Sequence, residues 1–134
     1  MFGSLDISTS GLIANRVRLD AISANIAGKD VILNEKGEYE PFRRRIVTLA
    51  AGDPTSDSPL GVHVGSIELD QGQPLMKFEP ESPFADASGY VGYPNINPVV
   101  EQMNAMEAAR SYEANIMAAE ATKSMMSVAL QLLA

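Results

Sequence analysis

Apolar residues recur along the last third of the chain at alternating steps of four and three. The row runs Ala105, Ala109, Tyr112, Ile116, Ala119, Lys123, Met126, Leu130 and Leu133, and only Lys123 breaks it. That spacing is the period of helices packed along a common seam. A second row, Ala114, Met117, Ala121, Met125, Val128 and Leu132, opens beside it in the lower half. No Gly or Pro follows Pro98, and Asn97-Pro98 supplies a cap and a first-turn proline. The pattern predicts one helix from Pro98 to Ala134, on the order of 50 Å long at ~1.5 Å per residue. A helix of that length overhangs the core that so short a chain can build. Its lower half is apolar on a wide face and needs more than one partner. The helix by itself fits the core of an ordinary bundle at least as well as an assembly helix completed by other chains.

The first 27 residues carry a second row. Leu5, Leu12, Leu19 and Ile26 recur every seven residues, and Ile22 adds to them. Ser8 and Asn15 are polar members of the stripe, and Ala14, Val17, Ala21 and Ala24 make a small-residue flank. A helix from Ser4 to Ala27 is predicted, with Gly28 as its C-cap. Gly11 inside it costs roughly 1 kcal/mol relative to Ala. The stripe is narrow and partly polar, so this helix is not stable alone. The natural partner of each terminal helix is the other.

Between them, residues 29–97 hold most of the Gly and Pro and read as short strands. Phe42 to Leu49 is β-prone, Ala51 to Leu60 reads as a polar loop, and Val62 to Leu69 is a second strand. The in/out phase of that second strand slips near Gly65, which predicts a bulge. A turn at Gln71 to Pro74 leads to a third strand, Leu75 to Phe78. Pro80 to Pro94 reads as irregular, with turn chemistry at Ser88-Gly89. The expected fold is mainly α with a small β-rich insert, the N- and C-terminal helices pairing as a coiled coil around a short irregular β region. Residues 1–28 and 98–134 would form one helical domain, and 29–97 an insert with an extended Pro/Gly loop.

Charge and composition remove several functions. A formal net charge of -7 opposes binding to nucleic acid or to an anionic membrane surface. With no cysteine there is no disulfide scaffold and no thiolate metal site. No run of ~18 apolar residues suggests a membrane span. Residues 1–28 lack the basic start and continuous apolar run of a cleaved signal peptide, so export would be uncleaved and by another route.

Candidate chemistry is sparse. His63 is the one histidine, and no second His or Cys lies near it. It reads as a packed or solvated strand residue rather than a metal ligand or general base. Asp53 to Asp57 lacks calcium-loop spacing and reads as a surface loop. Arg43-Arg44-Arg45, the only basic run, would alternate sides on a strand, which favours local ion pairs over one basic patch. No phosphate loop, nucleophile elbow or zinc helix motif occurs. No catalytic, cofactor-binding or metal-binding residue is assigned, and no cofactor is expected. The stretch Phe78 to Asn97 has too few apolar residues for its own core. It is expected to lie over other structure or a neighbouring chain, with Tyr90 and Tyr93 as amphipathic contacts.

Three runs together give the chain a resemblance. They are Ser10-Gly11-Leu12 through Arg18-Leu19-Asp20-Ala21-Ile22-Ser23-Ala24-Asn25-Ile26-Ala27; then Glu79-Pro80, Pro83, Ala85-Asp86, Gly89-Tyr90-Val91 and Pro94-Asn95-Ile96-Asn97; then Met103, Ala109 to Asn115 and Lys123 to Met126. With these the chain resembles the flagellar basal-body rod protein family along essentially its whole length, and the middle run is similar to the segment that marks the FlgC branch. Gly28, Ser82 and Phe78 depart from the pattern. The resemblance implies a structural subunit of the periplasmic rod, assembling helically with other copies, with other rod proteins and with the export-gate junction protein. It implies export through the flagellar type III apparatus without cleavage, and no direct membrane insertion. The expected assembly interface is Leu5, Leu12, Leu19, Ile22, Ile26, Ala109, Tyr112, Ile116, Met126, Leu130 and Leu133. The family-motif loop is Pro80, Pro83, Asp86, Gly89, Tyr90, Pro94 and Asn95. Ser8, Asn15 and Lys123 would fix register. Alternatives from other classes are a free-standing binding module built on the insert and a small hydrolase using Asp86 with His63.

Overall fold

A computed structural model describes residues 2–134. Two helices bracket two small antiparallel sheets. Helix α1 spans Phe2–Ala27 and helix α2 spans Pro98–Leu133. Between them lie β1 (Arg45–Asp53), β2 (Ser58–Leu69), β3 (Leu75–Phe78) and β4 (Tyr90–Tyr93). β1 pairs with β2, and β3 pairs with β4.

The start of α2 is set by local chemistry. The Asn97 side chain accepts a hydrogen bond from the Val99 N–H at 3.0 Å, and Pro98 follows in the first turn. Both satisfy the orphan donors of a helix start. Glu101 adds an acid to that turn, where the helix dipole favours it.

The helices run antiparallel, and their contacts fix a register. Ser4 Oγ donates to Thr122 Oγ1 at 3.4 Å, and Asn25 Nδ2 donates to Glu101 at 3.3 Å. Midway, the Asn115 side chain lies over Gly11, so close that a Cβ there would come within 2.7 Å of it. From Ser4–Thr122 to Gly11–Asn115 the contact moves seven residues along each helix, and to Asn25–Glu101 fourteen more. Arg18 reaches Glu107 at 3.6 Å between the last two.

The face buried between the helices is small and polar. On α1 the buried residues include Ser8, Ala14, Asn15, Ala21, Ile22 and Asn25; on α2 they are Glu101, Ala108 and Thr122. The row Leu5, Leu12, Leu19 and Ile26 lies at the margin of this face, half-buried. Gly11 therefore does more than weaken a helix: it lets Asn115 cross. Asn15, Asn115 and Thr122 each donate to a carbonyl one turn back on their own helix, at 2.8, 2.8 and 2.9 Å. For Asn15 and Asn115 these bonds satisfy the side-chain amide within its own helix, and Thr122 adds one to its contact with Ser4 across the seam.

β1 and β2 form a hairpin longer than the sequence suggests. β1 continues to Asp53 and β2 begins at Ser58, so the expected loop from Ala51 to Leu60 is mostly strand. Pairing and turn chemistry override the polar composition there. The Asp53 carboxylate accepts from Thr55 N–H and Ser56 Oγ, closing the turn on itself. The bulge falls at Gly65: Thr48 faces Ser66 and Leu49 faces Val64, leaving Gly65 unpaired. The hairpin rests on α1, where Ser10 Oγ accepts from the Val62 N–H at 3.1 Å.

β4 lies inside the stretch that reads as irregular. Its four residues pair Tyr93 with Leu75 and Tyr90 with Phe78. Short length and flanking prolines hide it in the sequence. Gly28 follows α1, but its φ is not among the positive ones, so no left-handed cap is formed. Its missing side chain is used instead by Phe42, whose ring would lie 2.6 Å from a Cβ there. Gly28→Ala is therefore expected to destabilise the chain by about 1–3 kcal/mol, as overpacking does. Urea unfolding of the purified protein checks this; an unchanged midpoint would show that the ring moves aside freely.

Candidate assembly surface

One buried junction joins three elements. Glu101 in the first turn of α2 is 1 % exposed, and Asn25 near the end of α1 is equally buried. Arg44, just before β1, pairs through Nε with one Glu101 oxygen, and Asn25 Nδ2 reaches the other at 3.3 Å. Asn25 also donates to the Arg45 carbonyl at 2.9 Å and accepts from the Arg45 N–H at 2.8 Å. The Asn25 amide thus acts as a two-sided clip on the β1 backbone. The charged Glu101 is matched by a guanidinium and by the start of its own helix. The basic run is resolved residue by residue: Arg44 makes this pair, Arg43 donates to Gln71 at 3.2 Å, and Arg45 lies over the Phe42 ring at 5.8 Å.

The family-motif loop is an ordered hairpin arm. Asp86 accepts from the N–H groups of Ser88 and Tyr90, both at 2.9 Å, and its own N–H donates to the Tyr90 carbonyl. Gly89 follows with φ of 82°. Asp and Gly in this spacing are what the turn requires. Tyr90 meets Phe78 edge-on at 5.3 Å. Tyr93 donates to the Glu79 carboxylate, and that bond holds its hydroxyl pKa above the ordinary value. Val91, Pro94 and Ile96 are buried, while Pro80, Pro83, Asp86 and Asn95 are exposed. The arm is fastened by Tyr39, whose ring stacks on Phe84 at 5.5 Å. The Tyr39 hydroxyl donates to the Gly92 carbonyl at 2.8 Å and accepts from its N–H at 3.0 Å. The arm lies on the protein's own 29–42 segment.

The remaining expected interface residues spread over different degrees of burial. Ile22 is buried between the helices. Ala109, Tyr112 and Met126 are half-buried. Ile116 is partly exposed, whereas Leu130 and Leu133 are largely in solvent. Since Ser4 stands opposite Thr122, about three turns of α2 extend past the start of α1. Met125, Val128, Leu130, Leu132 and Leu133 there are all exposed, the last two at 82 % and 84 %. Met103, Met106 and Met117 further up α2 are exposed as well, as are Ile7 and Ile13 on α1. Surface of this kind marks a place where something else binds. Of the polar stripe residues, Ser8 and Asn15 are buried and Lys123 is exposed.

His63 Nδ1 lies 2.8 Å from the Gly52 carbonyl, and the Asp86 carboxylate is occupied by the N–H groups of Ser88 and Tyr90. The Asp53 carboxyl is held below its ordinary pKa by the Ser56 hydroxyl and the Thr55 N–H. Among the described residues no group of three His, Asp or Glu side chains could hold a metal, and no helix is long and apolar enough to cross a membrane. Sequence reasoning missed Glu101, Asn25 and Arg44. The available signal was an acid at residue 101, seven positions before Ala108 and on the buried line of α2.

Comparison with known proteins agrees at both ends of the chain. Residues 5–27 match the family model described as "Flagella basal body rod protein". Residues 87–132 match "Flagellar basal body rod FlgEFG protein C-terminal". The flagellar basal-body rod protein FlgC of Bacillus subtilis is 37% identical over 98% of this chain and 97% of its own length. Those of Aquifex aeolicus and Salmonella typhimurium are 39% and 37% identical, covering 92% and 90% of this chain and 90% and 89% of theirs.

Glu101→Ala is expected to cost about 2–3 kcal/mol, because it leaves Arg44 without its carboxylate and removes one of the two acceptors of the buried Asn25 amide. Urea unfolding of single variants and of Glu101→Ala combined with Arg44→Met checks this. The double variant should recover part of the loss, and additive losses would show that the two residues do not act together.

Proposed function

The chain belongs to the FlgC family of flagellar basal-body rod proteins and is a structural subunit of that rod, and from this we propose how its surfaces do the work. The terminal helices pair as an antiparallel coiled coil and form one assembly domain, with residues 29–97 as its insert. Subunits then assemble helically through the outer faces of these helices and transmit torque across the periplasm. The observation that carries the proposal is the uncovered apolar end of α2, with Leu132 and Leu133 in solvent, while every buried side-chain polar atom among the described residues has a partner. The expected interface residues divide by depth. Leu5, Leu12, Leu19, Ile22 and Ile26 support the pair within a subunit, and Ile116, Leu130 and Leu133 face neighbours.

A small, polar seam favours such a role. Small residues let helices approach closely but bury little apolar area, and the hydrophobic stabilisation scales with that area. A pair of this kind is held weakly until neighbours cover its outer faces. Torque needs many such contacts in parallel, since a single pair would slip. The neighbours proposed are other copies, other rod proteins and the export-gate junction protein. Export is proposed to occur through the flagellar type III apparatus, without a cleaved signal peptide. The relatives' structural role leaves the binding-module and hydrolase alternatives without support.

Leu130→Asp and Ile116→Asp are each expected to abolish rod incorporation and motility while the insert keeps its fold. Immunoblots of isolated basal bodies read this out, and normal incorporation would remove the claim that this face is buried. His63→Ala should leave motility largely intact. Limited proteolysis of the purified subunit should remove both ends before residues 29–97, with fragments mapped by mass spectrometry. Uniform resistance in a compact monomer would show that the two helices already satisfy each other.

A further inference from the structure

Five of the seven methionines lie on α2. Met103, Met106, Met117 and Met125 are 58–64 % exposed, whereas Met126 is half-buried. Glu101 and Asn115 mark the side of α2 that faces α1, where they meet Asn25 and Gly11. Met103 and Met117 stand two positions after those residues, and Met106 stands five after Glu101. At about 100° of turn per residue, these offsets place the three about 140–160° round the helix from the seam. Met125 follows Thr122 by three residues, where α2 passes the start of α1. The four thioethers therefore occupy the outer face and the free end of the helix. The chain has no cysteine and no tryptophan. With no thiol to compete for an oxidant, an exposed thioether is its most readily oxidised side chain.

Resting on the rod-subunit reading, we propose that Met103, Met106, Met117 and Met125 are an oxidation site that controls assembly. Hydrogen peroxide converts them to sulfoxides in the free subunit, and the sulfoxides keep that subunit out of the rod. The sulfur lone pair attacks one peroxide oxygen, an S–O bond forms and the O–O bond breaks. The other oxygen leaves as water, so sulfur gives up the two electrons that the peroxide gains. A dithiol reductase reverses the step, its two thiols becoming a disulfide while the oxygen departs as water. A sulfoxide is polar where the thioether was apolar. Because all four side chains are exposed, the change disturbs no packing within the chain. It falls instead on apolar surface that only a neighbour covers. Incorporation in turn shields the four sulfurs, so the subunit is open to oxidation before it joins the rod.

Hydrogen peroxide is applied to the purified chain, and sulfoxides are mapped by mass spectrometry of its peptides. The four methionines are expected to convert several-fold faster than Met126, with the helical circular dichroism unchanged. Conversion no faster than at Met126, or loss of the helical signal, overturns the inference. Assembly is read in cells that produce either the native chain or a variant combining Met103→Leu, Met106→Leu, Met117→Leu and Met125→Leu. Leucine keeps the approximate volume of methionine without its sulfur. The level of each chain in isolated basal bodies after a peroxide pulse is compared with its own untreated level. The native chain is expected to fall several-fold further than the variant. An equal fall overturns the inference and leaves the rod reading standing, and absence of the untreated native chain from basal bodies overturns both. A further measurement needs no variant. Met76 on β3 is 49 % exposed and serves as an internal reference. Sulfoxide at the four positions, relative to Met76, should be several-fold lower in basal bodies than in the free pool of the same cells. Equal ratios overturn the inference.

Discussion

The buried carboxylate of Glu101 is the constraint on which the rest of the arrangement depends. A charge taken out of water is tolerated only where it is paired and hydrogen-bonded. Arg44 and Asn25 meet that demand, and each comes from a different part of the chain. One side chain therefore decides where α1 ends against α2 and where β1 departs from both. Asn25 extends the constraint by clipping the Arg45 backbone on two sides. Elsewhere, apart from Ile22, the seam is built from Ser, Thr, Ala, Gly and Asn, which pack closely and permit alternative registers. The junction selects among them.

The small seam and the uncovered α2 end are two consequences of one distribution of side chains. Large apolar residues on α2 are left exposed, Met103 and Met117 alongside α1 and Leu130 and Leu132 past its start. A monomer optimised for its own stability would turn them inward. Their outward placement is what a subunit needs when most of its apolar burial occurs between chains. The insert follows a different rule. Its β3–β4 arm is secured by Tyr39, by the stacked Phe84 and by the Asp86 turn, all within the chain.

The residues that carry the site were partly legible. The apolar rows of α2 were visible as spacing, and so were Pro98 as a helix start and Gly65 as a bulge. Asp86 and Gly89 were visible as turn chemistry. The junction was not, because polarity patterns cannot tell a buried acid from a solvated one. Glu101, Arg44 and Asn25 meet over separations of 57 and 76 residues. Strand β4 was missed because four residues between prolines carry no period. The loop at residues 51–60 was read too long because β1–β2 pairing recruits polar residues as readily as apolar ones.

By itself the sequence determined the coarse order of helix, β-rich insert and helix, the family and the absence of cysteine chemistry. Local rules suffice there, since periodicity, caps and composition act over a few residues. Tertiary structure decided which side of each helix is inside. The leucine row of α1 lies at the margin, and the line through Ser8, Asn15, Ile22 and Asn25 is buried instead. It also decided that Gly28 serves Phe42 rather than a left-handed cap. Both outcomes depend on what the facing surface brings, and a surface facing a segment from far along the chain leaves no mark on the local pattern.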